Sequence, residues 1–261
     1  MARIWYGRWR RDAYVTGRLV SRDFAKRYRR SALGVAWSLV SPLAMAAIVS
    51  AVFSNLLRGD PSTGCFPVYV LVGDVTWAFM SSATSGGLRA IVDAGPLMRK
   101  VECDAFLFPV QRVVSALVDW ALAAVAAVAV ALAMRVPLGP PMLALVPWAA
   151  LMCAFCAGLA LALSALDAYL RDVGHLWDVW LTAWSYLTPL FYPASMLPGW
   201  LQGALPWNPM WDFVSVARDC LLYGTWPAWA EWGRCLLWAA AALGVGIPGF
   251  RRLEGNFVLH I

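Results

Sequence analysis

Few side chains in this chain could do covalent chemistry, and their spacing argues against it. His175 and His260 are the only histidines, and no D-x-D triplet occurs. The one C-x-x-C, Cys153 with Cys156, lies inside an apolar run with no second pair and no nearby histidine. Zinc and redox sites need such partners, so the pair reads as small apolar packing residues. Cys65, Cys103, Cys220 and Cys235 are scattered. Cys65 and Cys220 fall on the same expected side of the protein, which leaves a disulfide between them open. The only lysines are Lys26 and Lys100, and no G-x-x-x-x-G-K-[ST] is present, so the usual cradle for ATP phosphates is missing. What remains are charges inside apolar surroundings (Asp74, Asp119, Asp178, Arg218 and Asp219) and 16 tryptophans. Intramembrane charges are costly and usually functional. Trp177, Trp180 and Trp184 recur at i, i+3 and i+7, one face of a helix.

The elements that must carry these residues are built for lipid. The chain is 61% hydrophobic and 14% charged, against roughly a quarter charged in a soluble domain. A hydrocarbon core of about 30 Å takes roughly 20 apolar residues as helix. Six segments approach that length: 33–57, which contains Pro42, then 66–85, 109–134, 142–166, 173–192 and 228–250. The last is the weakest, with Glu231 and Arg234 in its first turns. The expected fold is an all-α membrane protein of six transmembrane helices, with one membrane domain over residues 33–250.

Charge sets the expected orientation. Ten of the 21 basic residues lie between Arg3 and Arg30, ahead of the first apolar run. That long basic stretch is not a secretory signal, and it predicts a retained, cytoplasmic N-terminus. With that end inside, 17 basic residues fall on the cytoplasmic side, and only Arg58, Arg135, Arg218 and Arg234 lie outside. The positive-inside rule favours this arrangement, with both termini cytoplasmic and residues 251–261 a cytoplasmic tail. The net charge of +6 is thereby explained by the membrane, not by nucleic acid.

Two regions break a simple serpentine. Within residues 1–32, Val20, Phe24 and Tyr28 recur every four residues among Arg22, Lys26, Arg27, Arg29 and Arg30. A helix with one apolar stripe and a basic remainder lies in the interface, cations toward anionic headgroups. Residues 193–224 hold Pro198, Gly199, Gly203, Pro206 and Pro209, too broken for a span and too apolar for a solvated loop. Two short helices dipping into the periplasmic leaflet, near 196–205 and 210–222, fit this stretch, with an amphipathic loop lying on the periplasmic surface as the alternative. Irregular backbone at such depth must be buried in protein or line a cavity.

In order along the chain, several segments resemble the permease family of polysaccharide ABC exporters, the type-2 ABC transporter membrane subunits. Residues 27–38 (RYRRSALGVAWS) followed by Ser41-Pro42 resemble the family's basic-then-S-x-L-G-x-x-W approach to the first span. Residues 93–101 (DAGPLMRKV), in the cytoplasmic loop 86–108, resemble its first coupling helix. Arg171-Asp172-Val173, then Thr188-Pro189-Leu190-Phe191-Tyr192-Pro193, Leu197-Pro198, Asn208-Pro209 and Arg218-Asp219 complete the series. After Val101, Glu102, Cys103 and Asp104 stand where the family usually has an aromatic-Pro pair, so the end of the coupling helix is not defined by the pattern.

The resemblance implies the pore-forming subunit of an inner-membrane exporter for lipid-linked polysaccharide, most like an O-antigen permease. It implies a homodimer and two copies of a separate ATPase subunit, which binds the ATP and Mg that this chain does not. It assigns ATPase coupling to Asp93, Leu97, Met98, Arg99, Lys100, Arg171 and Asp172. Gating falls to Arg218 and Asp219, as a local pair that could hold a shut state. A glycan offers apolar sugar faces, so a conduit for it favours aromatic rings; Trp77, Phe79, Trp177, Trp180 and Trp184 are the pore-lining candidates, with helix packing as the alternative. Rival readings are a capsule or teichoic-acid permease, or an exporter of a small drug or lipid. A membrane glycosyltransferase would need a carboxylate or histidine cluster that is absent here, and an ion-coupled transporter would want paired midplane charges. Leu97→Asp is expected to insert normally yet uncouple ATP hydrolysis from export. Unimpaired export by that variant would remove Leu97 from the coupling surface.

Overall fold

In the computed structural model of the chain, the described residues are 16–18, 20, 21, 37–53, 64–98 and 104–257. Among them there are helices and turns but no strand. The helices are α1 (Trp37–Phe53), α2 (Phe66–Leu88), α3 (Ala90–Met98), α4 (Leu107–Ala133), α5 (Leu145–Asp167), α6 (Asp172–Leu187), α7 (Gly199–Ala204), α8 (Pro209–Arg218) and α9 (Trp229–Leu253). A 3-10 turn, Pro140–Ala144, leads into α5, and a π turn, Asp219–Tyr223, closes α8. The chain then turns at Gly224, whose φ of 62° is a left-handed conformation that glycine adopts without a Cβ penalty.

α2 is the central post. Pro67 sits in its first turn, where a missing N–H costs nothing. Val68, Tyr69, Val70, Leu71 and Val72 are each at most 4% exposed. A helix apolar all round must be enclosed, and α1, α4, α5, α6 and α8 pack around this one. α5 and α9 form the tightest pair. A Cβ at Gly158 would collide with the backbone of Ala242 and Leu243, and one at Gly246 with Gly158. Small residues at such a crossing let two membrane helices approach closely, where dispersion replaces the hydrophobic effect as the source of attraction.

Among the described residues, four helices are long and apolar enough to cross a membrane: α2, α4, α5 with its leading turn, and α9. The other two expected spans are shorter. α1 has 17 residues, about 26 Å at 1.5 Å per residue, and residues 31–36 and 54–63 on its flanks lie outside the described residues. α6 has 16 residues and ends at Leu187, not at Tyr192 as the apolar run suggested. Pro189 is the physical reason: the residue before a proline is pushed out of the α region, and Thr188 is extended at φ −102°, ψ 123°.

Two further expectations are adjusted. α2 runs three residues beyond Ser85 and turns at Arg89 straight into α3, so the stretch 86–98 is helical, not a loop. The first of the two short helices near 196–205 is only six residues long, flanked by 3-10 turns, whereas the second is a buried α-helix capped by the Asn208 side chain. Cys65 and Cys220 are free thiols. Residues 22–30, with Arg22, Lys26, Arg27, Arg29 and Arg30 of the expected interface helix, lie outside the described residues.

Gly158→Val forces α5 away from α9 and should cost roughly 1–3 kcal/mol or more through overpacking. Gly233→Ala, on the same pair of helices but with open space at its Cβ, should be neutral or slightly stabilising. Thermal unfolding of the two variants in detergent compares them directly; equal midpoints would disprove the crossing.

Candidate functional site

Three of the landmarks, residues 188–193, Asn208-Pro209 and Arg218, converge on one polar clamp at the end of the bundle formed by residues 188–229, here called the hairpin end. The clamp exists because helix α6 stops inside protein. Beyond Leu187 the carbonyls of Pro189 and Leu190 have no helical partner, and both residues are buried. Arg218, at the end of α8 and 3% exposed, reaches across to fill the gap. Its Nη1 donates to Pro189 O at 2.9 Å and its Nη2 to Leu190 O at 2.9 Å. Longer bonds of 3.4 Å from Nε and Nη2 go to Tyr69 O on α2, and the guanidinium lies over the Tyr69 ring at 3.4 Å. The planar fork of arginine suits this divided task, and cation–π attraction is stronger when desolvated. Burial pulls the Arg218 pKa down from its usual value to about 10, which leaves it charged at neutral pH.

Neighbouring groups finish the clamp. Tyr69 Oη donates to Tyr192 O at 3.0 Å, and Tyr192 Oη donates to Tyr186 O. Asn208 works in three directions. Its Oδ1 caps α8 by accepting from Met210 N and also accepts from Trp184 Nε1 at 2.8 Å, while its Nδ2 donates to Thr188 Oγ1 at 3.0 Å. Gly73 gives Arg218 room: a Cβ there would sit 2.8 Å from Nη2 and 3.2 Å from Leu190 O.

A second polar set ties α8 to α9. Asp212, fully buried, accepts from Arg234 Nε at 2.7 Å and from Trp238 Nε1 at 3.1 Å. This explains how α9 tolerates Arg234 in an apolar helix, since a buried charge is sustained by pairing and hydrogen bonds. Arg218 and Asp219 do not pair with each other. Arg218 faces carbonyls, and Asp219 meets Glu231, with burial and that neighbouring carboxyl pushing the Asp219 pKa up to about 7. The expectation of a local Arg218–Asp219 pair is corrected accordingly: successive residues at a helix end point in different directions.

The aromatic candidates separate by burial. Phe79 is 2% exposed and stacks on Trp120 at 5.9 Å between centroids. Trp184, 8% exposed, meets Trp77 edge-on at 5.7 Å. Trp177 is half-buried and donates to Thr84 Oγ1 at 3.3 Å. Trp180 is 51% exposed, and Leu176, Val179 and Tyr186 on the same helix are more exposed still. Within a single chain, then, Phe79 and Trp184 hold helices together, whereas α6 presents an uncovered apolar side around Trp180.

At the opposite end, Ala90, Ile91 and Ala94 seat α3 in a small core with Phe108, Leu161 and Phe250. Exposed Asp93 pairs with Arg112 on α4 at 3.2 Å. Met98 packs at the rim of this core. The Leu97 side chain, Arg99 and Lys100 lie outside the described residues. Arg171 and Asp172 are exposed at the start of α6, where an acidic first turn suits the helix dipole. Arg89 and Asp178 approach at 4.0 Å, both mostly exposed, a pair of little energetic weight.

Sequence reasoning missed Tyr69, Asn208, Asp212 and Arg234 as working parts. The available signal was modest: Arg234 and Trp238 share a helix face at i, i+4, and Asn208-Pro209 is a helix start.

A profile of the ABC-2 type transporter membrane family matches residues 14–222 of the chain. The chain is similar to an O-antigen export system permease protein, RfbA, of Myxococcus xanthus, with 28% identity over 235 residues, 86% of this chain and 89% of that protein. It is also similar to two proteins of the same name from Klebsiella pneumoniae. One is 22% identical over 214 residues, covering 79% of this chain and 80% of the relative. The other is 20% identical over 212 residues, covering 79% of each.

Arg218→Met should destabilise the protein by at least about 2 kcal/mol, because buried carbonyls are left without donors. Gly73→Ala should act in the same direction by displacing the guanidinium. Unfolding midpoints in lipid nanodiscs read both effects, and wild-type midpoints for the pair would show that the clamp carries no load.

Proposed function

This chain belongs to the ABC-2 type transporter family, and we propose that it is the membrane subunit of an exporter that moves a lipid-linked surface polysaccharide of the O-antigen kind across the bacterial inner membrane. A separate ATPase subunit powers it, since this sequence carries no P-loop. The observation that supports the reading most is the reach of the similarity. Permeases named for O-antigen export align with 79–86% of this chain, so the likeness is not confined to one helix or one motif.

In this reading, α1 and α6 complete six spans with the four longer helices. The basic end faces the cytoplasm with both termini, and the hairpin end faces the periplasm. Two copies assemble about a two-fold axis, each with an ATPase beneath it. In that assembly the side of α6 left uncovered in one chain, with Trp180, Val179 and Tyr186 exposed along it, faces the second copy or the glycan path and not lipid. Sugar faces stack on such rings, and Asp178 is the one fixed charge on α6 beyond its first turn. The cytoplasmic ATPase engages α3 and the Arg171–Asp172 corner, with Arg99 and Lys100 toward acids on its rim. The clamp around Arg218 holds the periplasmic hairpin in its shut arrangement.

Deleting the gene should abolish the surface glycan and leave lipid-linked polymer inside the cell, seen as loss of the ladder on glycan immunoblots of intact cells. Trp180→Ala should lower export by two-fold or more at unchanged membrane abundance. Retained surface glycan in the deletion strain, with loss of resistance to a small drug instead, would transfer the protein to the drug-exporter reading.

A further inference from the structure

The seam between α5 and α9 is closed where Gly158 meets Gly246 and opens toward the hairpin end into a furrow of about 880 Å³. Leu143, in the 3-10 turn leading into α5, and Pro147 and Leu151, one turn apart on α5, line one wall. Trp229, Trp232 and Leu236 line the other. The loop residues Trp226 and Pro227 roof its outer end. No charged, hydroxyl or amide side chain contributes to the lining. Trp226 and Trp229 at the mouth are 66% and 91% exposed.

The shape and chemistry select the occupant. Both walls lie on helices long and apolar enough to cross a membrane, so with α5 and α9 across a bilayer the furrow lies beside hydrocarbon. From Leu143 to Leu151 it covers about 12 Å at the helical rise, a little less than one leaflet of a core about 30 Å thick. Tryptophans at the mouth stand where indoles prefer to lie, at the headgroup level. A sugar would find rings here but few partners for its hydroxyls, and hydroxyls buried without partners are costly. An empty space of this size beside lipid would forfeit packing contacts on every wall.

We propose that the furrow is a binding site for one acyl chain of a phospholipid in the leaflet on the hairpin side. The chain fills the wedge between α5 and α9 and supports the start of α9, the helix that holds Arg234 against Asp212. The site is separate from α6 and from the Arg218 clamp, and it depends only on α5 and α9 crossing a bilayer.

The test is photolabelling of the full-length protein in nanodiscs of phosphatidylethanolamine and phosphatidylglycerol, with a trace of phosphatidylethanolamine carrying a mid-chain diazirine. Peptides spanning 143–151 and 226–236 are expected to label at least five-fold more than the peptide holding Val125, an exposed residue of α4. Gly233→Leu places a side chain into open space in the furrow and should cut that labelling three-fold or more without changing the unfolding midpoint. Leu151→Trp, filling the opposite wall, is the independent second variant. Labelling no higher than at Val125, or unchanged by both filling variants, overturns the proposal. So does spontaneous disulfide dimerisation of Leu236→Cys in native membranes, which would make a second copy the occupant. Displacement of the label by an equimolar polyprenyl phosphate overturns it as well, in favour of the exported lipid's tail.

Discussion

A helix that ends inside protein leaves backbone carbonyls that neither water nor a further turn of helix can satisfy. α6 ends that way at Thr188, and the fold of the hairpin end follows from the need to pair Pro189 and Leu190. The solution is one guanidinium, delivered by α8, that binds two carbonyls of the chain just beyond α6 and one of α2. Placing it there constrains much else. α2 must carry glycine at 73 to admit the group, Tyr69 must lie beneath it, and α8 must begin where Asn208 can bind Trp184, Thr188 and its own first turn together. Each partner is itself a group that would be costly to bury alone. The network is therefore consistent only as a whole.

α2 connects this clamp to the far end of the bundle. Tyr69 and Gly73 lie in its first half, and its last residue, Leu88, precedes the turn at Arg89 into α3. α3 is seated in its own small core against the ends of α5 and α9, so it is not a dangling loop. A displacement of α3 is borne by packed helices, which transmit movement as rigid elements. α9 offers a second route, since Phe250 lies in the core under α3 while Arg234 binds Asp212 near the clamp. The two ends of the protein are thus mechanically joined through helices that also make its tightest contacts.

The helical class, the four long apolar helices and the family were legible from composition, run length and a series of short landmarks, because lipid permits so few spanning structures. The exact reach of α6 was not. Its apolar run continues to Tyr192, and only the backbone restriction ahead of Pro189 cuts it short. The landmark residues were found, but not all of their contacts. Arg218 and Asp219 read as a pair because they are neighbours in sequence, whereas at a helix end they face different surroundings. Trp177, Trp180 and Trp184 read as one stripe, yet their burial differs widely. The three fall within roughly 60° around the helix, and α2 covers only the part of that arc holding Trp177 and Trp184.

Composition and periodicity alone determined that this is a multi-pass helical membrane protein, and its landmarks determined the family. Those properties are local: each depends on a residue's type and its near neighbours. Tertiary structure decided which polar groups meet, because Tyr69 and Arg218 are separated by 149 residues and no spacing rule relates them. It likewise decided that Gly158 and Gly246 touch while the same two helices part at Trp229, since the fit of two surfaces depends on every side chain between them.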